Sequence, residues 1–230
     1  MNIYGLTKTT LLDYPGLVAS TIFVGNCNFQ CPFCHNLRLV NNPSSYPLIS
    51  EDELFSHIEK RRNIISGICV TGGEPTIQVD IIDFLIKLRK TGLKIKLDTN
   101  GYNPEVLEQI IEMNLIDYVA MDIKSGRDNY SIACGKNIKL SNIDSSIQII
   151  SESNIDFEFR TTCVKGIHNE LDFVDIASWI PRRSKYYLQN YKSNDVINNE
   201  SLSSFSKEEL TKFLTISKMH IANTFLRGVD

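Results

Sequence analysis

Cys27, Cys31 and Cys34 place three thiols within eight residues, in the spacing Cys27-x3-Cys31-x2-Cys34. On one short loop such thiolates can converge on a single metal centre. Cysteine thiolates are the usual protein ligands of iron–sulfur clusters, normally four of them for a four-iron cluster. Three ligands leave one iron unsatisfied, and an open position is what a catalytic metal site needs. A structural zinc site that borrows His35 is the alternative, although structural zinc ligands usually come as two spaced pairs. The remaining cysteines, Cys69, Cys134 and Cys163, are scattered. They read as small buried apolar residues, because a disulfide framework belongs to an oxidising compartment and usually to smaller chains.

Other reactive residue types recur where apolar runs end. In Gly72-Gly73-Glu74-Pro75 the paired glycines let a ligand approach the backbone closely, and Glu74 offers an acceptor. A plain turn explains the same letters. Asp98-Thr99 and Asp122-x-Lys124 put carboxylates after buried runs, which is costly unless cations or hydrogen bonds meet them. Capping of the following loops is the structural alternative. Arg160 lies on an alternating run and either meets a carboxylate through a bidentate pair or points to solvent. His168 sits in a loop and reads as a helix-entry residue more readily than as a proton carrier. Gln189 closes the last run.

The elements that must position these residues follow from periodicity. Strands are expected at 18–24, 67–71, 93–98, 116–122, 156–164 and 185–190, and helices at 51–62, 80–90, 104–113, 142–152, 170–179 and 206–220. Most of the strand runs are continuously apolar, as in a parallel sheet buried on both faces. The run Phe157-Glu158-Phe159-Arg160 alternates instead, which predicts one wet face. Ser50 before Glu51-Asp52-Glu53 forms a capping box, Asn103-Pro104-Glu105 puts Pro at a first helical position, and Ser206-Lys207-Glu208-Glu209 opens the last helix. Alternating strands and helices give right-handed βαβ units and an α/β fold. With six units rather than eight, the expectation is an open partial (β/α)6 barrel in one domain, residues 1–230, with the cysteine loop at 25–38. Ligands of α/β sheets bind at the carboxyl ends of strands, so the reactive residues at five strand ends predict one shared site.

Composition narrows the partners. The 230 residues are 42% hydrophobic with a net charge of -3, which supports neither nucleic acid nor a membrane surface as principal partner. No apolar run is long enough to span a bilayer, and the first residues lack the basic and apolar regions of a signal peptide. A cytoplasmic location is expected.

The cysteine motif, with aromatic Phe33 before its last cysteine, resembles the cluster motif of radical S-adenosylmethionine enzymes. Its Cys34-His35-Asn36 ending is similar to the activating enzymes of glycyl radical enzymes. Leu12-Asp13-Tyr14-Pro15-Gly16 and Phe23-Val24-Gly25-Asn26-Cys27 resemble the anaerobic ribonucleoside-triphosphate reductase activating proteins. Asn26 stands where that pattern has Gly. The resemblance implies a [4Fe-4S] cluster on Cys27, Cys31 and Cys34, and S-adenosylmethionine whose amino group meets Gly72, Gly73 and Glu74. It further implies a monovalent cation held by Asp98, Thr99 and Asp122, with Lys124 toward the cofactor's carboxylate or ribose. Phe33, Arg160 and Gln189 join the expected cofactor pocket.

The activity the resemblance implies is reductive cleavage of S-adenosylmethionine. The resulting 5′-deoxyadenosyl radical would abstract a Cα hydrogen from one glycine of a partner enzyme, with electrons from a donor such as flavodoxin or ferredoxin. The chain has little spare sequence for a substrate domain, which suits a macromolecular substrate. Two rivals stand beside this reading: a small-molecule radical enzyme similar to the 7-carboxy-7-deazaguanine synthases, and a non-catalytic zinc or electron-transfer module.

Overall fold

The apolar runs become strands within two residues of the expected bounds: β2 (Ala19–Val24), β3 (Gly67–Gly72), β4 (Lys94–Thr99), β5 (Tyr118–Asp122), β6 (Asp156–Cys163) and β7 (Tyr186–Asn190). The computed structural model describes residues 1–193 and 201–229. It adds two strands that the sequence pattern did not reveal, β1 (Ile3–Thr10) and β8 (Thr224–Arg227). The eight strands follow one another in sequence order, with β1 and β8 at the two ends of the series. β1 runs antiparallel to β2, while β2–β3–β4 and β6–β7–β8 pair in parallel. The helices are α1 (Leu37–Asn41), α2 (Glu51–Lys60), α3 (Ile81–Arg89), α4 (Pro104–Glu112), α5 (Tyr130–Cys134), α6 (Leu140–Glu152), α7 (Glu170–Trp179) and α8 (Lys207–Lys218). Among the described residues no helix is long and apolar enough to cross a membrane. The chain divides into two compact units.

The first unit comprises Met1–Asn28, Asn36–Val119 and Ser153–Asp156. Its strands carry fully buried Ile22, Val24, Ile68, Val70, Ile95 and Leu97. α3 buries Ile81, Phe84, Leu85 and Leu88, the spacing of one helical face. Isoleucine costs a few tenths of a kcal/mol in helix propensity. Burying each such side chain returns about 1.5–3 kcal/mol, so packing decides that this segment is helical. The expected capping box holds: the Glu53 N–H donates to Ser50 Oγ (3.1 Å) and the Ser50 N–H to Glu53 Oε2 (2.9 Å). β1 escaped the sequence reading because only Ile3 in it is buried and its pairing with β2 slips twice, as edge strands often do. The Asp13-Tyr14-Pro15-Gly16 segment braces the amino end of the sheet. Asp13 accepts the Thr21 hydroxyl (2.5 Å). Buried Tyr14 lies against Gly67, the first residue of β3, and against the Tyr118 ring at 5.9 Å.

The second unit comprises Phe29–His35, Ala120–Glu152 and the described part of Phe157–Asp230. Here β6 corrects the expectation of a wet face. Glu158 is fully buried, and Arg227 of β8 donates to both its carboxylate oxygens (2.7 and 2.9 Å). The Arg227 guanidinium also lies 3.4 Å from the Tyr187 ring centroid. Alternation of apolar and charged residues signals solvent only when no distant cation covers the charged face. α7 opens with an Asn169–Asp172 capping box and α8 with a Ser206–Glu209 box. The ring of Phe173 on α7 stacks on Phe213 of α8 at 4.3 Å.

Candidate active site

In the first unit the site grows from the crowded carboxyl ends of β2 and β3. Beyond β2 the chain turns at Asn26, whose φ is +58°. Asparagine tolerates this left-handed conformation better than most side chains, so the turn keeps the geometry that glycine would supply. Gly72 (φ +116°) and Gly73 face that turn: a Cβ on Gly73 would lie 1.7 Å from the Asn26 carbonyl oxygen, and one on Gly72 2.4 Å from that of Val24. Both glycines are therefore demanded by the neighbouring backbone. Asn36 clamps the same place, donating from Nδ2 to the Gly72 carbonyl (2.6 Å).

Glu74, 1% exposed, is the hub. Its Oε1 accepts from the Thr76 N–H (3.1 Å), the Thr76 hydroxyl (2.6 Å) and the Thr99 hydroxyl (2.7 Å), and its Oε2 from the Asn100 N–H (2.7 Å). Burial raises its carboxyl above the usual range, against the pull of these four donors. Asn100 extends the chain of contacts: its Nδ2 lies 2.7 Å from Asn28 Oδ1 and 3.7 Å from Cys27 Sγ. Asp98 pairs with the ammonium of Lys96, a lysine only 1% exposed. Sequence reasoning singled out neither Asn100 nor Lys96. Asn100 had a signal, since it directly follows Asp98-Thr99 at the strand end. Lys96 had none, because a lysine in a strand ordinarily reads as solvated.

In the second unit Asp122 gathers two cations. Arg160 Nε donates to Oδ1 (2.9 Å) and Lys124 Nζ to Oδ2 (3.2 Å). Burial opposes ionisation of Asp122, but the Arg160 and Lys124 charges prevail and hold its carboxyl down to about 2. Arg160 thus takes the inward orientation of its two expected ones. His168 is buried: its Nδ1 accepts the Val164 N–H (3.0 Å) and its Nε2 stands 2.8 Å from the Lys124 carbonyl. A carbonyl can only accept, so Nε2 carries the proton and the ring is neutral. Burial lowers its pKa accordingly. His168 is a structural tie, as its loop position suggested.

Cys31 is buried and Cys34 half-buried, with the Cys34 N–H donating to the Cys31 carbonyl (3.1 Å). α5 steadies this loop: the Gln30 N–H donates to the Cys134 carbonyl (2.9 Å), and only glycine fits at 135, where a Cβ would lie 2.1 Å from the Gln30 carbonyl oxygen. Phe33 is buried with its ring edge-on to His168 at 6.2 Å. Gln189 is half-buried on β7, in register with Thr162 and Arg227. His35 places Nε2 2.8 Å from the Lys192 carbonyl, which leaves Nδ1 as its other ring nitrogen.

The thiol chemistry fits an iron–sulfur cluster. No disulfide joins any of the six cysteines, and the three clustered ones occupy one short loop. Among the described residues no three His, Cys, Asp or Glu side chains lie close enough to share one metal ion. Thiolate sulfur is the donor that iron–sulfur clusters take from proteins.

Comparison with known proteins now decides the family. The model of the Radical SAM superfamily matches residues 21–180. A protein of Methanocaldococcus jannaschii named as a glycyl-radical enzyme activating enzyme is 32% identical over 99% of this chain and 96% of its own length. The chain belongs to the radical SAM superfamily, among the glycyl-radical enzyme activating enzymes. Enzymes of this superfamily use a [4Fe-4S] cluster and S-adenosylmethionine. The pyruvate formate-lyase-activating enzyme of Clostridium pasteurianum is 29% identical over 58% of this chain and 57% of that protein. In fold, the chain is similar to Streptococcus suis SuiB, with a TM-score of 0.68 at 14% identity over 91% of this chain and 49% of SuiB. This radical SAM chain therefore spans about half of that structural relative.

Proposed function

We propose that this chain is the activating enzyme of an anaerobic ribonucleoside-triphosphate reductase and generates its glycyl radical. The observation that carries the site assignment is the hydrogen-bond chain of the first unit. It links the Gly72-Gly73-Glu74 loop, the Thr99-Asn100 end of β4 and Cys27, three segments that the sequence offered separately. In this reading Cys27, Cys31 and Cys34 hold the cluster, while Gly72, Gly73 and Glu74 receive the methionine part of the cofactor. Cluster and S-adenosylmethionine together supply a 5′-deoxyadenosyl radical. The protein's own residues fix and shield. Glu74 anchors Thr99 and Asn100, the Asn100 amide lies against the Cys27 sulfur, and Arg160 with Lys124 keeps Asp122 ionised. Neutral His168 offers no proton, in keeping with a hydrogen-atom abstraction that needs no acid or base. The Asp-Tyr-Pro-Gly approach to the cysteines supports the reductase as partner, with a flavodoxin or ferredoxin as electron donor in the cytoplasm.

The test is electron paramagnetic resonance on the reductase after anaerobic incubation with this enzyme, reductant and S-adenosylmethionine. A glycyl radical doublet is expected on the reductase, and none when S-adenosylmethionine is omitted. A doublet on a different glycyl radical enzyme only would reassign the partner. Full turnover of a small molecule with no protein radical would overturn the activase reading.

A further inference from the structure

The residues expected to hold a monovalent cation in the first unit do not fit one. Thr99 spends its hydroxyl in both directions, donating to Glu74 (2.7 Å) and accepting from the Gly101 N–H (3.1 Å). Asp98, on the opposite face of β4, already has a cation in the ammonium of Lys96. The two residues stand two apart on the strand, so they share a face. Lys96 is set deeper, its side chain 2% exposed against 16% for Asp98. Its register partner on β3 is Cys69, whose sulfur lies 3.7 Å from Nζ. A small, polarisable residue there leaves room for the ammonium and adds a weak acceptor. Lysine is almost never fully buried unless paired, because a desolvated ammonium is costly without a counter-charge. The pairing is therefore obligatory for Lys96 as well as useful to Asp98. Without a positive charge beside it, an Asp98 carboxylate would also repel any second carboxylate brought to this strand end.

We propose that the Lys96 ammonium is the built-in cation of this site, balancing Asp98 so that S-adenosylmethionine binds without an added monovalent cation. The proposal rests on the reading of this strand end as part of the cofactor pocket. A tethered ammonium is present at any salt composition, whereas a diffusible ion is present only above its dissociation constant. Lys96 acts here as a positioning residue.

The test is S-adenosylmethionine affinity of the anaerobically reconstituted enzyme, by equilibrium dialysis in choline chloride and in potassium chloride of equal ionic strength. The wild-type dissociation constant should differ by less than about twofold between the salts, and that of Lys96→Ala should rise about tenfold or more in choline. Potassium or ammonium should restore most of the affinity of Lys96→Ala, a recovery that a merely structural defect would not give. Wild-type binding that depends strongly on potassium overturns the proposal, and so does a Lys96→Ala protein that binds as wild type in choline. If Lys96→Ala does not fold, the wild-type salt comparison still decides. Absence of binding in every salt, with the cluster intact, overturns the pocket reading and this inference with it.

Discussion

Cys31→Ala protein, reconstituted anaerobically with iron and sulfide, is expected to lose the four-iron cluster and with it all cleavage of S-adenosylmethionine. Cys163→Ala should keep both. Neither cysteine is in a disulfide, but the two differ in surroundings. Cys31 lies on the loop between Cys27 and Cys34, with a backbone hydrogen bond linking it to Cys34. Cys163 is fully buried at the end of β6, where burial pushes its thiol far above the usual range, so it cannot supply the thiolate that a metal requires. A three-thiolate site has no spare ligand on the loop, and loss of one leaves at most two. Iron and sulfide per chain, with the cluster's visible absorbance, read the outcome. A Cys31→Ala protein with wild-type iron and absorbance would remove the cysteine loop from the account.

Glu74→Gln carries the second large expectation, and it appears without any cofactor. Glutamine has one acceptor oxygen where the carboxylate has two. With its oxygen placed to serve Thr76 and Thr99, its NH2 group faces the Asn100 N–H, donor against donor. Turned over, it confronts the other three donors instead. Either way a buried donor is left unsatisfied, at about 1–3 kcal/mol each. For a chain of this size that lowers the melting temperature by roughly 2–4 °C per kcal/mol. Glu74→Ala strands all four donors and should fall further. Exposed Glu108→Gln on α4 should stay within about 0.5 kcal/mol of wild type. Thermal unfolding of the apoprotein under reducing conditions measures all three. In holoprotein, Glu74→Gln should also weaken S-adenosylmethionine binding, because Thr99 and Asn100 lose their anchor. An unchanged melting temperature would mean that Glu74 is not the hub described.

The sequence made some of this plain and hid the rest for physical reasons. β2 to β7 were legible because most are nearly continuous apolar runs and β6 alternates with the period of a strand, patterns that admit few other fates. β1 and β8 were not: one buries a single residue, and the other is four residues long. α1 and α5, five residues each, are too short to show a period. At the site, the short motifs stood out in the sequence, but the partners of their residues did not. The glycines at 72 and 73 suggested close approach of a ligand to the backbone, and nothing local revealed that the Val24–Asn26 backbone also demands them. Lys96 and Glu158 looked solvated because nothing local reveals that Asp98 and Cys69, or Arg227, meet them after folding. Burial of a charge is a tertiary fact, set by the partner as much as by the residue. Asn26 showed the reverse: a departure from the family's glycine that the backbone absorbs at φ +58°.

The central claim is that this chain reductively cleaves S-adenosylmethionine at a cluster held by Cys27, Cys31 and Cys34. The most direct measurement is release of 5′-deoxyadenosine by the wild-type protein after anaerobic reconstitution with iron and sulfide, given reductant and S-adenosylmethionine. The account predicts 5′-deoxyadenosine formed together with methionine, in amounts that rise when the reductase is added. A fully formed four-iron cluster that binds S-adenosylmethionine and yields none would contradict it.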